Sequence, residues 1–403
     1  MKWVFVFACL VSEIAHSQSI EGVVRDGETG EVIPFANVYL AGTLKGTSTD
    51  IEGAFSIWDL KSGTYDLAIS HVGFRDTVLL VTVQREETLF LRLQLNPETN
   101  LLPEIFVNAD TAGWKNNFYA FKNLFLGTTE NSSHVIIKNP VVLSLYFDPK
   151  DNILFAHAKN ELIIENHALG YRIFYKLKKF EANMNSGLLM SFGIPRFEQM
   201  ASTKKAQIRK WEKARLLSYS GSFAHFLTAL KDDRLTKEGF FVQEILRIKN
   251  KDRPAQKTID QKMAFFRKRL KTQMQNGKIN LGEKSSGEFD SLQYWTRWNN
   301  SSEYVDSLGS IFMKREQLLE HSDTLNFQGI LKVVYLKEKE ELNYRRGMVR
   351  DHRQTSLVHF LGEEMILYEN GNYDSNLILL EQYLAWHSKL AEMLPLDYEP
   401  NEN

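Results

Sequence analysis

The sequence predicts an α+β chain in which an N-terminal seven-stranded antiparallel β-sandwich is followed by a mixed α+β body. Three observations carry this. Between Ser19 and Asn96, seven short runs of strand character follow one another with Asp-Gly, Thr-Gly and Ser-Gly turns between them: IEGVVRD, PFANVYLAG, KGTSTD, GAFSIWDL, GTYDLAISHVGF, DTVLLVTV and TLFLRLQL. From Trp114 onward, runs of helical period alternate with runs of strand character. The 403 residues are 43% apolar and 25% charged with 9 prolines, the composition of ordinary globular protein, and the length suits two or three cored domains.

Residues 1–17 read as an export signal. Lys2 precedes nine apolar residues, Trp3 to Val11, and the small residues Ala15 and Ser17 stand before Gln18, which is the order of positive start, apolar core and cleavage site. The apolar run is about half of the ~20 residues that span hydrocarbon, so no transmembrane helix is expected in the mature chain. The expected junction is Ser17/Gln18. Cleavage before Cys9, as in a lipoprotein, would leave only Trp3 to Ala8 as an apolar core. Cys9 is the single cysteine, which excludes a disulfide framework, a thiolate zinc site and a cysteine redox pair. Once the signal is removed the chain is held by packing alone, a habit of gram-negative envelopes, and the expected location is the periplasm or the outer-membrane and cell surface.

In the sandwich, residues 19–96, Leu89, Leu91, Leu93 and Leu95 alternate with Phe90, Arg92 and Gln94, and Tyr65, Leu67 and Ile69 share a face. The connections are too short for helical crossovers, so antiparallel neighbours on two sheets are expected. Gly22 with Asp26 and Gly30, Pro34 with Ala36-Asn37-Val38, Thr49-Asp50 before Gly53 and Phe55, and Gly63-x-Tyr65 leading to Gly73-Phe74 together resemble the carboxypeptidase regulatory-like domain. The resemblance covers under a fifth of the chain. It implies a transthyretin-like sandwich without catalytic function, of the kind that also precedes the plug of TonB-dependent outer-membrane receptors. Asp50, Glu52 and Asp59 invite a calcium reading, but a hard cation wants more oxygens and Ile51 breaks the spacing, so a tight turn is expected there.

Residues 97–113 form a linker in which Leu102-Pro103-Glu104-Ile105-Phe106-Val107 resembles the junction before a receptor plug. The 295 residues after Asn108 are too few for a barrel of about 22 strands, and they lack its regular alternation. In the body, residues 114–403, a helix carries Trp114, Phe118, Phe121 and Phe125 and ends at Gly127. The strand runs HVIIKN, VVLSLYFD, NILFAHA, ELIIEN, GYRIFYKLKKFEA and GLLMSFGI follow. A long amphipathic helix is expected from Thr203 to Leu230, with Ile208, Trp211, Tyr219, Phe223, Phe226 and Leu230 on its apolar side. After the strand GFFVQEILRI comes a helix with Ile259, Met263, Phe266, Leu270 and Met274 on one face, and a division into two subdomains is expected near 250–258. The strands ILKVVYLK, TSLVHFL and EMILYEN precede a helix with Tyr383, His387, Leu390 and Leu394 that stops at Pro395. The order GYRIFYKL, SYSGSFAHFLTAL, GFFVQE and LAEMLPLDYEP is similar to an uncharacterised family of envelope proteins that share the first domain; this resemblance implies no activity.

Charge is segregated. The formal net charge is −1, yet residues 18–108 hold 6 basic against 13 acidic side chains, and residues 201–280 hold 20 basic against 7 acidic. Lys262, Arg267, Lys268, Arg269 and Lys271 stand opposite Met263, Phe266 and Leu270, the composition of an interfacial membrane helix as well as of a core-packed helix with a solvated face. Arg267, Lys268 and Lys271 are therefore the candidate binding residues for an anionic surface such as lipid A phosphate or acidic polysaccharide. Nucleic acid is not expected to meet an exported protein.

Catalytic motifs are sparse. His157 with Glu161, and His359 with Glu363, are four apart in strand-like sequence, where such residues do not converge as they would on a helix. No helical zinc motif and no phosphate-cradling glycine loop is present, so no metal and no cofactor is expected. Ser222 and His225, in Ser218-Tyr219-Ser220-Gly221-Ser222 and the residues after it, have the types of a nucleophile and a base but lack the strand-turn-helix elbow. Trp295 and Trp298 have the form of sugar platforms or of buried anchors. The expected function is that of a non-enzymatic exported envelope protein binding a partner protein, lipopolysaccharide or polysaccharide, with peripheral membrane contact. The alternative is an envelope hydrolase of unrecognised type around Ser222 and His225.

Overall fold

In a computed structural model of the chain, the described residues are 18–98, 111–275, 287–320, 323–327, 329–344 and 352–400. The export signal with Cys9 and the plug-like segment 102–107 lie outside them.

Seven strands build the sandwich: β1 (Gln18–Asp26), β2 (Asn37–Leu40), β3 (Gly46–Ser48), β4 (Ala54–Leu60), β5 (Gly63–Ser70), β6 (Thr77–Val83) and β7 (Thr88–Leu95). They form sheets of order β4-β1-β7 and β3-β2-β5-β6 that enclose Ile20, Val24, Val38, Leu40, Phe55, Leu67, Ile69 and Leu95. The wholly antiparallel expectation needs one correction. β1 and β7 pair in parallel, from Ser19 opposite Thr88 to Asp26 opposite Leu95. A parallel neighbour needs a long connection, and here five intervening strands supply it in place of a helix. The Asp50 reversal is turn chemistry: its Oδ1 accepts the backbone N–H groups of Glu52 and Ala54, both at 2.9 Å. Gly53 sits at φ +70°, where a Cβ would lie 2.8 Å from the Val24 carbonyl oxygen.

The body has two cores. The first is laid down by α1 (Thr111–Leu126), β8 (Val135–Ile137), β9 (Leu143–Asp148), β10 (Ile153–Ala158), β11 (Leu162–Asn166), β12 (Tyr171–Asn183) and β13 (Leu189–Gln199). β12 pairs with β11 at one end, with β10 at the other, and with β13 along most of its length. Phe121 and Phe125 of α1 press onto this sheet, with ring centroids 4.8 Å from Phe180 and 5.1 Å from Tyr175 respectively. Leu390 and Ala391, from far along the chain, complete the same core.

The second core begins after α2 (Lys205–Tyr219), with α3 (Phe223–Lys231), α4 (Leu235–Glu238), β14 (Phe240–Lys249), α5 (Gln256–Gln275), α6 (Gly287–Asn300) and β15 (Tyr304–Phe312). α7 (Arg315–Leu318), β16 (Leu319–Glu320), β17 (Thr324–Leu325), β18 (Ile330–Lys339), β19 (Arg353–Phe360), β20 (Met365–Ile366), β21 (Ile378–Gln382) and α8 (Tyr383–His387) complete it. The main sheet, β15-β14-β18-β19-β21, packs Val242, Leu331, Val333 and Val358 against Phe226 and Leu230 of α3. Residues 250–255 connect β14 to α5 and residues 256–258 open α5, all in this second half, while the two cores part between β13 and α3.

Three local expectations differ from what is found. The run from Thr203 to Leu230 is two helices, broken at Gly221, whose φ is +74° and where a Cβ would meet Gln354 Oε1 at 2.3 Å. EMILYEN pairs only at Met365–Ile366, and the last helix stops at His387, with a separate short turn at Leu390–Glu392.

The sandwich is seated on the body. Gly42 N–H donates to the Pro195 carbonyl at 2.8 Å, and Leu396 N–H to the Gly42 carbonyl at 2.8 Å. Leu44 N–H donates to Asp397 Oδ1 at 3.0 Å, and the side-chain amides of Asn370 and Asn372 both donate to the Thr64 carbonyl, at 2.8 and 3.0 Å. Tyr39, Ala68 and Ile194 form a small apolar cluster across the joint. Lys176 pairs with Asp76, and Lys61 with Glu399.

Candidate functional site

Ser222 and His225 come together as a helix cap. The Ser222 hydroxyl oxygen accepts the His225 backbone N–H at 3.1 Å at the N-terminus of α3, the ordinary task of serine there. The imidazole Nδ1 accepts Gly221 N–H at 3.1 Å, and Nε2 stands 3.6 Å from Glu238 Oε2. Its ring packs among Tyr219, Phe240 and Tyr335, and burial pushes its pKa down to about 4 against the pull of Glu238. Neither ring nitrogen faces the Ser222 hydroxyl. His359 has Glu381 at 3.0 Å as its carboxylate neighbour, on the adjoining strand, and His157 stands exposed on β10. Among the described residues no group of three or more His, Cys, Asp or Glu is arranged to hold a metal ion.

Arg267, Lys268 and Lys271 lie on an arm. β14 and β15 continue past the sheet as a two-strand ribbon whose end carries α5 and α6. Ile259, Met263 and Leu270 are buried, yet none belongs to the core of the sandwich or of either body half; the two helices cover each other. Their polar ties are internal as well. Arg269 pairs with Glu288 at 2.9 Å, Arg253 Nε donates to the Ser301 carbonyl at 3.0 Å, and Gln256 Nε2 donates to Asn299 Oδ1 at 3.1 Å.

On the outer side of α5, Arg267, Lys268 and Lys271 are all exposed. Helical spacing places Lys268 and Arg267 three and four residues before Lys271 on one face, and Phe265 three residues before Lys268. Phe265 is 51% exposed, with the Arg269 guanidinium 5.6 Å from its ring centre. Phe289 and Tyr294 of α6 and Leu246, Ile248, Val305 and Leu308 of the ribbon are also exposed. The sequence reading found the cations and missed Phe265. A ring inside a charged face is the signal that would have found it, because a merely solvated face has no use for one. Trp295 and Trp298 sit half-buried on α6.

A second polar assembly joins the two halves of the body. Glu392, 7% exposed, accepts the Ser218 hydroxyl and, at 2.9 Å, the Asn131 amide, and its Oε1 has no hydrogen-bond partner. His387 Nε2 stands 3.9 Å from the same carboxylate. From the other half, Glu341 Oε2 accepts Glu130 N–H at 3.1 Å, and Glu338 accepts the Gln354 amide at 3.1 Å. Burial raises Glu341 to about 7 and raises Glu338 and Tyr383 as well. These side chains lie far apart in sequence and form no motif, so nothing in the sequence pointed to them.

Residues 20–107 match the CarboxypepD_reg-like domain family, so the sandwich is a carboxypeptidase regulatory-like domain. The match ends before the body begins. No curated protein matches the chain. Among solved structures, an interface mutant of a type II cohesin–X-dockerin complex from Acetivibrio cellulolyticus is 18% identical over 28% of this chain and 79% of its own, with a TM-score of 0.18. A protein from Bacteroides uniformis named for carbohydrate binding is 13% identical over 46% and 75%, with a TM-score of 0.18. A protein of unknown function from Bacteroides fragilis, described as membrane-associated, is 10% identical over 89% and 92%, with a TM-score of 0.17. Likeness at this level transfers neither architecture nor function.

Proposed function

We propose that this chain is a non-enzymatic, exported envelope protein whose arm rests on an anionic, phosphate-bearing lipid surface while the sandwich and body serve as its mount. The observation that carries the reading is the exposed side of α5, where Lys262 and Lys268 stand three residues either side of the exposed ring of Phe265. Arg269 lies over that ring, and Arg267 and Lys271 extend the cationic surface, on an element whose described residues belong to none of the cores of the sandwich or the body. Cations draw the face to phosphate, and an aromatic ring among them enters the boundary between headgroup and acyl chain. No helix among the described residues is long and apolar enough to cross a membrane, and peripheral contact requires none.

The test is cosedimentation with vesicles. Native protein binds vesicles of acidic phospholipid or of lipopolysaccharide at low salt and leaves neutral vesicles alone. Each cation near an anionic membrane contributes about 1 kcal/mol, so replacing Arg267, Lys268 and Lys271 with glutamine weakens binding by roughly two orders of magnitude, and added salt does the same. Native protein that ignores acidic vesicles, or a triple variant that binds equally well, overturns the reading.

A further inference from the structure

We propose that the cleft between the C-terminal end of α1, the turn Asn131–His134 and the chain just after β18 is a binding site for a neutral saccharide unit, independent of the arm. The cleft holds about 450 Å³, within the range of small-ligand sites. Its polar lining is Asn123, Thr128, Thr129, Ser132, Ser133 and Asn343. Among the described residues no charged side chain lines it, and the hydrogen-bonding groups that do are neutral.

The lining groups are set up to give and to accept hydrogen bonds. Thr128 Oγ1 already accepts the Trp386 indole N–H at 2.8 Å, which leaves its own proton to donate. The Ser132 and Ser133 hydroxyls donate to the Thr129 and Glu130 carbonyls at 2.7 and 2.8 Å, which leaves their oxygen lone pairs to accept. Asn123 and Asn343 make no side-chain hydrogen bond to a described residue, so each amide offers both functions. Thr129 is 2% exposed and its Oγ1 is enclosed, so Thr129 shapes the floor of the cleft and the exposed groups around it do the binding. A sugar hydroxyl is donor and acceptor at once, and a row of them meets such a lining where a phosphate or an ammonium would not. Trp386 and Tyr344, with centroids 5.4 Å apart, hold the neighbouring wall in place.

The experiment uses the full chain and saturation-transfer NMR with glucose, galactose, mannose, N-acetylglucosamine and cellobiose at millimolar concentration. The expected result is transfer to at least one of them. Its affinity falls roughly five- to tenfold in Asn343→Ala and again in Asn123→Ala, since each removes about one hydrogen bond. Arg267→Gln/Lys268→Gln/Lys271→Gln binds the sugar as native protein does, which separates this site from the arm. Asn343 and Ser133 are exposed, so folding is preserved and is checked by thermal melting, and Ser133→Arg, which lays a long side chain over the cleft, abolishes transfer. No transfer to any of the sugars, which means a cleft that holds water only, overturns the proposal. Equal transfer to the double asparagine variant and to Ser133→Arg overturns it as well.

Discussion

Glu341 keeps a carboxyl group largely out of water, and its pKa rises from 4.5 to about 7 by burial first, then by Glu392, Glu130 and Glu338, against the Glu130 N–H that it accepts. A carboxyl raised in the folded state binds its proton more tightly there than in the unfolded chain. Its favourable contribution is therefore complete below the ordinary carboxyl value and is lost as pH rises through about 7. His387, lowered by burial, acts in the opposite sense and removes stability as pH falls below the ordinary imidazole value. Thermal melting across a buffer series should show that the native protein loses stability relative to Glu341→Gln as pH rises from the ordinary carboxyl value to about 7, with the difference constant above that. An unchanged pH profile in Glu341→Gln would exclude this assignment. Gly170 supports a sharper expectation. It has φ +70°, and a Cβ there would lie 2.3 Å from the Trp211 ring, whose indole N–H donates to the His167 carbonyl at 2.9 Å. Both the backbone and the space reject a side chain, so Gly170→Ala should cost about 2 kcal/mol or more, read as a lowered melting midpoint.

Among the elements, those whose pattern lies within themselves were legible in the sequence. β7 shows its alternation and buries Leu93 and Leu95, and α5 shows its period and buries Ile259, Met263 and Leu270. What a strand's own residues do not record is the direction of its neighbour, and so the parallel pairing of β1 with β7 was out of reach. The apolar spacing from Ile208 to Leu230 runs through Gly221 without a phase break, and only the crowding against Gln354 and Tyr335 shows why the helix has to stop there. α6 and β15 leave most of their side chains exposed, so neither carries a strong period. The sandwich holds a core of its own across two sheets, and a fragment from Gln18 to Glu98 should fold alone. Circular dichroism should give a sheet spectrum with a cooperative melt; an unfolded monomer would show that the body is required. The joint with the body adds to this, so the sandwich should melt earlier in the fragment than in the full chain.

For the molecule as a whole, export is the expectation that joins the N-terminal signal pattern to the proposed surface. The mature chain should begin at Gln18, the first residue of β1, and N-terminal sequencing of protein recovered outside the cytoplasm decides it. A start at Cys9 or a retained Met1 would count against it. The last described stretch of the chain ties the first core to α2 and to the sandwich. Ala391 accepts the Asn166 amide and completes the first core, Glu392 gathers Ser218 and Asn131, and Leu396 and Asp397 hold Gly42 and Leu44 of the sandwich. Loops this long are costly to close, and they close late. A chain made or threaded N-terminus first therefore keeps these seats vacant until the residues around Leu390 to Asp397 arrive. A chain cut before Leu390 keeps the core of the sandwich but leaves Gly42, Leu44 and Asn166 without these partners, and it should be cleaved by added protease faster than the native chain.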